Sequence, residues 1–250
     1  LLYRAFNWEC PKFAHLPLIL KPVGKGKLSK RDGDKLGFPV YPLEYTNEIS
    51  GEVSRGYKED GYFADAFINM LAFLGWNPGT EQEIFSINNL VESFDLKRVG
   101  KSGAKFNAEK AQWFNQQYMQ SKESDELAKA YAQILKEKGI TKNSAFIEKV
   151  VSCVKERATF VSDFWSLSSF FFEAPTTYDA KASKKNWKEE TAALMEELIL
   201  KISSITVFSS ENTEKEIKEW ILTKDIGFGK VMQPLRLSLV GALKGPHLFD

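Results

Sequence analysis

From Tyr62 onward, apolar residues recur at three- and four-residue intervals in one segment after another, the period of an amphipathic helix and not of a strand. In "GYFADAFINMLAFLGW", residues 61–76, Phe63, Phe67, Met70, Leu71 and Leu74 share a face, and Gly75, Pro78 and Gly79 end the run. Asn107 opens "AEKAQWFNQQYM", and Ser124 opens "DELAKAYAQILKEKG", where Leu127, Tyr131, Ile134 and Leu135 align and Gly139 terminates. "NSAFIEKVVSCVKERA" presents Ile147, Val150, Val151 and Val154 to a core. "FVSDFWSLSSFFFEAP" stops at Pro175, "KKNWKEETAALMEELILKI" is periodic throughout, and Ser210 opens "ENTEKEIKEWILTK". A chain patterned in this way folds as a helical assembly with short connections. The polar run "QSKES", residues 120–124, marks a boundary between two helical parts.

The first forty residues read differently. A short helix-like stretch, "LLYRAFNW", precedes an apolar run from Leu16 to Leu20 that reads as a buried strand. A cationic stretch follows at once, with Lys21, Lys25, Lys27, Lys30 and Arg31 interrupted by Gly24 and Gly26. Glycines free the backbone to turn, and lysine is a compact charge on a flexible stem, so the stretch suits either a solvated surface loop or a phosphate-holding one. It is not a P-loop, because GxxxxGK[ST] is absent.

Composition narrows the alternatives. Across 250 residues, 43% are hydrophobic and 27% charged, which fits a globular protein and neither a disordered nor a membrane class. No apolar run approaches the roughly 20 residues of a membrane span, so no membrane partner is expected. With a net charge of +1, a nucleic-acid partner must be met by local basic patches. Cys10 and Cys153 form no CxxC pair and have no histidine at ligand spacing, so neither a disulfide framework nor a structural metal is expected, and a reducing cytoplasm is the expected compartment. The start at Leu1, without a methionine or a signal-like segment, suggests a fragment.

The segment "KLSKR", Lys27 to Arg31, between "HLPLIL" and "FPVYPLEY", resembles the KMSKS-type signature of class I aminoacyl-tRNA synthetases. "GYFADAFINMLAFLGWNPGTEQEIF", "RVGKSGAKFNAEKAQWFNQQY" and "GKVMQPLRLSLVGALKGPHLF" extend the likeness over nearly the whole chain, and together they resemble the bacterial-type glutamyl-tRNA synthetases. The resemblance implies a mainly α chain. Residues 1–45 would be an α/β remnant of a Rossmann-type catalytic domain, 46–120 a helical stem-contact region and 121–250 an all-helical anticodon-binding domain. The glutamine-charging relatives carry β-barrels for anticodon binding, and the helical periodicity excludes that architecture. The family's HxGH signature is missing, since the only histidines are His15 and His247, so the chain alone is not expected to activate an amino acid.

By the same resemblance, Lys27 and Lys30 are the catalytic residues. Backbone groups at Leu18 and Ile19 would meet adenine, and Lys27, Leu28, Ser29, Lys30 and Arg31 would hold the triphosphate of ATP with its magnesium, bound mainly by the parent enzyme. Asp32 and Asp34 depart from the family's usual residues and partly cancel the loop's charge. For tRNA, Lys97, Arg98, Lys101 and Lys105 would contact backbone phosphates, which positions a nucleic acid without reading it. Arg157 and Arg236 would meet the anticodon, where arginine's planar fork suits base edges. On composition alone the Lys97–Lys105 stretch reads equally as a solvated loop, Arg157 as a cation complementing a helix dipole, and the aromatic run "FWSLSSFFF" as core.

The function implied is that of a glutamate–tRNA ligase, a monomer joining glutamate to its tRNA at the expense of ATP. A non-catalytic tRNA-binding paralogue and a helical protein-interaction scaffold are the alternatives.

Overall fold

The computed structural model describes residues 1–249, the side chain of Asp34 lying outside the described part. The chain forms two compact units that divide between Ser121 and Lys122. In the first, α1 (Leu2–Ala5), β1 (Ile19–Leu20), α2 (Lys30–Leu36), β2 (Tyr45–Thr46) and β3 (Val53–Ser54) precede α3 (Ala64–Phe73), α4 (Ile87–Ser93), β4 (Ala104–Lys105) and α5 (Ala108–Ser121). Phe38, Tyr57, Met70, Phe106, Ala111 and Phe114 make its main core, and Ile19, Leu28 and Phe73 pack against them. Residues on both sides of position 45 therefore share one core. Two buried asparagines fasten loops to that core. Asn69 accepts from the Phe85 amide at 2.8 Å, and Asn115 accepts from the Phe63 amide at 2.8 Å.

In the second unit all regular secondary structure among the described residues is helical: α6 (Ser124–Glu137), α7 (Ser144–Val154), α8 (Asp163–Ser168), α9 (Ala180–Asn186), α10 (Thr191–Ser203), α11 (Ser210–Thr223) and α12 (Phe228–Val240), with 3₁₀ turns at 155–157 and 169–171. Leu127, Tyr131 and Leu135 of α6 and all four residues read as the core face of α7 are buried, and the Tyr131 hydroxyl pairs with the Ser168 hydroxyl at 2.8 Å. A second core joins Met195 and Leu198 of α10, Ile217 and Ile221 of α11, and Val231 and Met232 of α12. The mainly α class with a small strand content agrees with the sequence pattern.

Several local readings need correction. The buried strand expected over Leu16–Leu20 shrinks to Ile19–Leu20, while Leu16 and Leu18 are 71% and 55% exposed. Pro17 has no amide to give to a ladder, and only Ile19 and Leu20 find partner strands. The helical pattern read from Tyr62 onward is also interrupted by a short strand, β4, which pairs parallel with β1, while β2 and β3 pair antiparallel before it. Leu71 is exposed and Asn69 takes its place in the core, because Asn69 has loop and tyrosine partners there. The periodic stretch from Lys184 to Ile202 is broken into α9 and α10 at residues 187–190, where the Thr191 hydroxyl accepts from the Lys188 amide at 2.8 Å. The caps sit one residue early, Glu123 before α6 and Ser209 before α11, the latter accepting from the Asn212 amide.

Candidate nucleotide loop and nucleic-acid surfaces

The cationic stretch after β1 is a closed turn leading into a helix. The Lys21 amide donates to the Gly26 carbonyl at 3.1 Å and the Leu28 amide to the Ile19 carbonyl at 2.8 Å. These two bonds make Leu20 and Lys27 a non-hydrogen-bonded antiparallel pair, the arrangement that brings side chains closest on one face. Gly24 and Gly26 have φ of 84° and 105°, the left-handed region that lets so short a turn close. Lys30 and Arg31 then form the first turn of α2, which corrects the expectation of a single mobile loop.

Asp32 supplies the reason. Its carboxylate accepts from the Ser29 amide at 2.9 Å and the Ser29 hydroxyl at 2.5 Å, and pairs with the Lys21 ammonium at 2.8 Å. Those donors, Lys21 first and then Ser29, hold the Asp32 carboxyl well below the usual carboxylate range. Asp32 thus ties the start of α2 to the end of β1. Beneath the helix, Gly33 is buried so closely that a Cβ there would lie 2.9 Å from the Phe38 carbonyl oxygen.

Leu18 and Ile19 lie on the β1 side of this turn, where the Leu18 carbonyl accepts from the Ala104 amide at 3.0 Å and the Ile19 carbonyl from Leu28. Leu28 is turned into the core, while Lys27, Ser29, Lys30 and Arg31 are exposed. The Lys30 ammonium stands 4.8 Å from the centroid of the Tyr41 ring and 5.7 Å from that of Tyr45. A hydrogen bond to Tyr41, then that group's charge, raises the Lys30 pKa above the ordinary lysine value.

The basic segment from Lys97 to Lys105 is no open loop. Lys97 and Arg98 belong to a 3₁₀ turn capped by Asp95, whose carboxylate accepts from the Lys97 amide at 2.9 Å. Gly100 donates to the Gly75 carbonyl at 2.7 Å, and the segment ends as β4, with Ala104 opposite Ile19 and Lys105 opposite Leu20. Lys27, at an isolated bridge, Leu20 of β1 and Lys105 of β4 therefore lie in register, away from the core that takes Leu28, Ile19 and Phe106. Gly103 makes the pairing possible, since a Cβ there would come within 2.7 Å of Leu20 Cγ and 2.9 Å of the Leu18 carbonyl oxygen. Gly103→Ala is expected to destabilise the first unit by about 1–3 kcal/mol, the usual range for overpacking. A shift of the denaturation midpoint at constant m checks it; an unshifted midpoint refutes the close approach.

In the second unit, Arg157 and Arg236 converge. Arg157 ends the 3₁₀ turn that follows α7, not α7 itself, and is exposed. Arg236 lies in α12 two residues after Pro234, and its Nη1 donates to the Pro246 carbonyl at 2.7 Å. Gly241, at φ 77°, turns the chain back so that residues after it return alongside α12. Arg157, Arg236, Ser166, Ser169, Phe170 and Lys244 all line one cavity of about 670 Å³. Burial chiefly, and then the neighbouring Arg157 charge, lowers the pKa of Arg236 from the ordinary arginine value. Two cations held this close favour an electron-rich occupant. Of the aromatic run, Phe164 is wholly buried, while Phe170 reaches the cavity wall.

Sequence reasoning left Tyr41, Tyr45 and Lys244 unassigned. The i, i+4 tyrosines of "VYPLEY" and the lysine of "GALKGP" were the available signals, but neither shows which cation or cavity it faces.

Residues 1–113 match the family described as tRNA synthetases class I (E and Q), catalytic domain, and residues 108–250 match the anticodon binding domain family. Over its whole length the chain is 61% identical to a glutamate–tRNA ligase of Flavobacterium johnsoniae, spanning 49% of that protein. It is 52% identical to the glutamate–tRNA ligase of Bacteroides fragilis, spanning 50% of it. The crystal structure of a glutamate tRNA ligase from Elizabethkingia meningosepticum in complex with its amino acid superposes with a TM-score of 0.95 at 51% identity, over 100% of this chain and 49% of that one. The chain thus spans about half the length of the curated relatives it matches.

Proposed function

The chain belongs to the glutamate–tRNA ligase family of class I tRNA synthetases, and from that premise we propose that it supplies the triphosphate loop and the tRNA-holding surfaces of an enzyme that joins glutamate to its tRNA with ATP. In this reading residues 1–45 end the catalytic domain, 46–120 contact the tRNA stem and 121–250 hold the anticodon. The observation that carries it is the convergence of Arg157 and Arg236, from separate helical elements, on one cavity inside the segment that matches an anticodon binding domain.

The chemistry follows from the residues. Attack of the glutamate carboxylate on the α-phosphorus, with pyrophosphate leaving, passes through a pentacovalent state that gathers charge on phosphoryl oxygens. Lys27 and Lys30 are exposed cations carried by a turn and a capped helix start, and they stabilise that state more than the ground state, which lowers the barrier. Arg31 adds a third charge. Leu18 and Ile19 offer backbone groups to the adenine edge. Magnesium is proposed to accompany the ATP, bound mainly by the parent enzyme. Lys97, Arg98, Lys101 and Lys105 neutralise tRNA phosphates. No described helix is long and apolar enough to cross a membrane; a cytoplasmic monomer is proposed.

Titrating the full-length protein with glutamate tRNA across salt concentrations tests the reading. Each phosphate contact contributes roughly 0.7–0.9 to the slope of log K against log salt. Lys101→Ala with Lys105→Ala is expected to flatten the slope by about 1.5 while leaving ATP–pyrophosphate exchange measurable. Steep tRNA binding without exchange would indicate the non-catalytic paralogue, and a flat salt dependence the protein-interaction scaffold.

A further inference from the structure

The segment that follows α2 presents two stacked tyrosines to the loop. The Tyr41 and Tyr45 rings lie 5.0 Å apart at an interplanar angle of 23°. Their backbone is fastened from one side: the Tyr41 carbonyl accepts from the Tyr57 amide at 2.9 Å, Tyr45 pairs with Ser54 in the β2–β3 ladder, and the Glu44 amide donates to Glu59 at 2.8 Å between them. Gly56 lies so close under this segment that a Cβ there would overlap the Leu43 carbonyl carbon. The backbone that carries the two rings is therefore tied to the core residue Tyr57, and the rings stack on one another.

A lysine side chain loses rotamer entropy when it is ordered. An exposed lysine that must meet a developing charge bears that cost at the moment of reaction unless something has already ordered it. Lys30 is exposed, yet its ammonium stands over both rings. An ammonium resting on an aromatic face keeps its other side open to an anion.

We infer that Tyr41 and Tyr45 form a cation platform that orders Lys30 beside the turn, making them positioning residues for the ATP-dependent step. In this role they act through Lys30. The raised Lys30 pKa, set first by a hydrogen bond to Tyr41 and then by that group's charge, accords with a close Lys30–Tyr41 contact. The inference rests on the reading of Lys30 as a triphosphate ligand.

The test is a cycle of variants in the full-length ligase, read as the single-turnover rate of adenylate formation. Tyr41→Leu with Tyr45→Leu is expected to slow that step about two- to five-fold, the range for a cation–π contact at an exposed site. In a Lys30→Ala background the same pair is expected to have no further effect. Tyr41→Phe with Tyr45→Phe retains the packing and should give a smaller loss of the same sign, again only when Lys30 is present, so the proposal stays testable if the leucine pair misfolds. A loss that persists undiminished without Lys30 overturns the platform alone, as does a rate that none of the tyrosine changes alters. An enzyme unaffected by Lys30→Ala overturns the loop reading, and the platform with it.

Discussion

On the proposed reading of the loop, Lys27→Ala or Lys30→Ala in the full-length protein is expected to slow adenylate formation by about two to three decades while tRNA affinity stays nearly unchanged. A charge that meets the transition state in a water-excluded site is worth about 2.7–4 kcal/mol, and that range sets the expected loss. The register at β1 bears on Lys27 especially. Its side chain stands in line with Leu20 and Lys105, so a substitution there removes a cation without disturbing the core residues Leu28 and Ile19 behind it. The proper assay is single-turnover activation of glutamate, with a tRNA titration of the same preparations beside it. Normal activation by both variants would reduce the stretch to surface.

The second large effect concerns which tRNA is read. Glutamate and glutamine anticodons differ at the third base, C in one and G in the other. If an arginine meets that base, it donates to the carbonyl oxygen and ring nitrogen of C, while G presents a different edge and a larger ring. Arg157 is exposed and lines the same cavity as Arg236, which is held by a bond to the Pro246 carbonyl. That difference in restraint separates their expected roles. Arg157→Gln introduces an acceptor beside the donors and should lower the ratio of kcat/KM for glutamate over glutamine tRNA by roughly one to two decades, since a bidentate base contact carries about 1–3 kcal/mol of discrimination. Adenylate formation should not change. Arg236→Ala should instead weaken charging of the glutamate tRNA itself, and because it also removes the bond that holds the returning chain, its melting temperature is measured alongside. An unaltered ratio in Arg157→Gln would show that another side chain reads the base.

How much of this was legible in the sequence varies with the range of the interactions involved. The four buried positions of α7 were visible because a helix repeats its face every three to four residues, whatever it packs against. The end of α6 was visible for a similar reason, since Gly139 adopts φ 77° where other residues are strained. The stretch "KLSKR" stood out as a motif, but its conformation did not. Ser29 and Asp32 have the three-residue spacing of a capping box, a local signal for a helix start, but nothing local announces that Lys21, eleven residues away, will join them. Asn69 was invisible in another way. A polar residue on a helix reads as solvent-facing until a loop amide and a tyrosine hydroxyl are brought to it.

By itself, then, the sequence determined the helical class, most of the buried faces and the cationic signature, because each depends on residues within about one or two turns of one another. Only the tertiary structure decided that β4 returns to β1 and aligns Lys105 with Lys27, that Arg157 and Arg236 share a cavity, and that Tyr41 and Tyr45 stand beneath Lys30. Each of these joins parts of the chain whose local patterns are silent about one another. The hydrogen bonds and close glycine contacts that unite them form only when the core has closed.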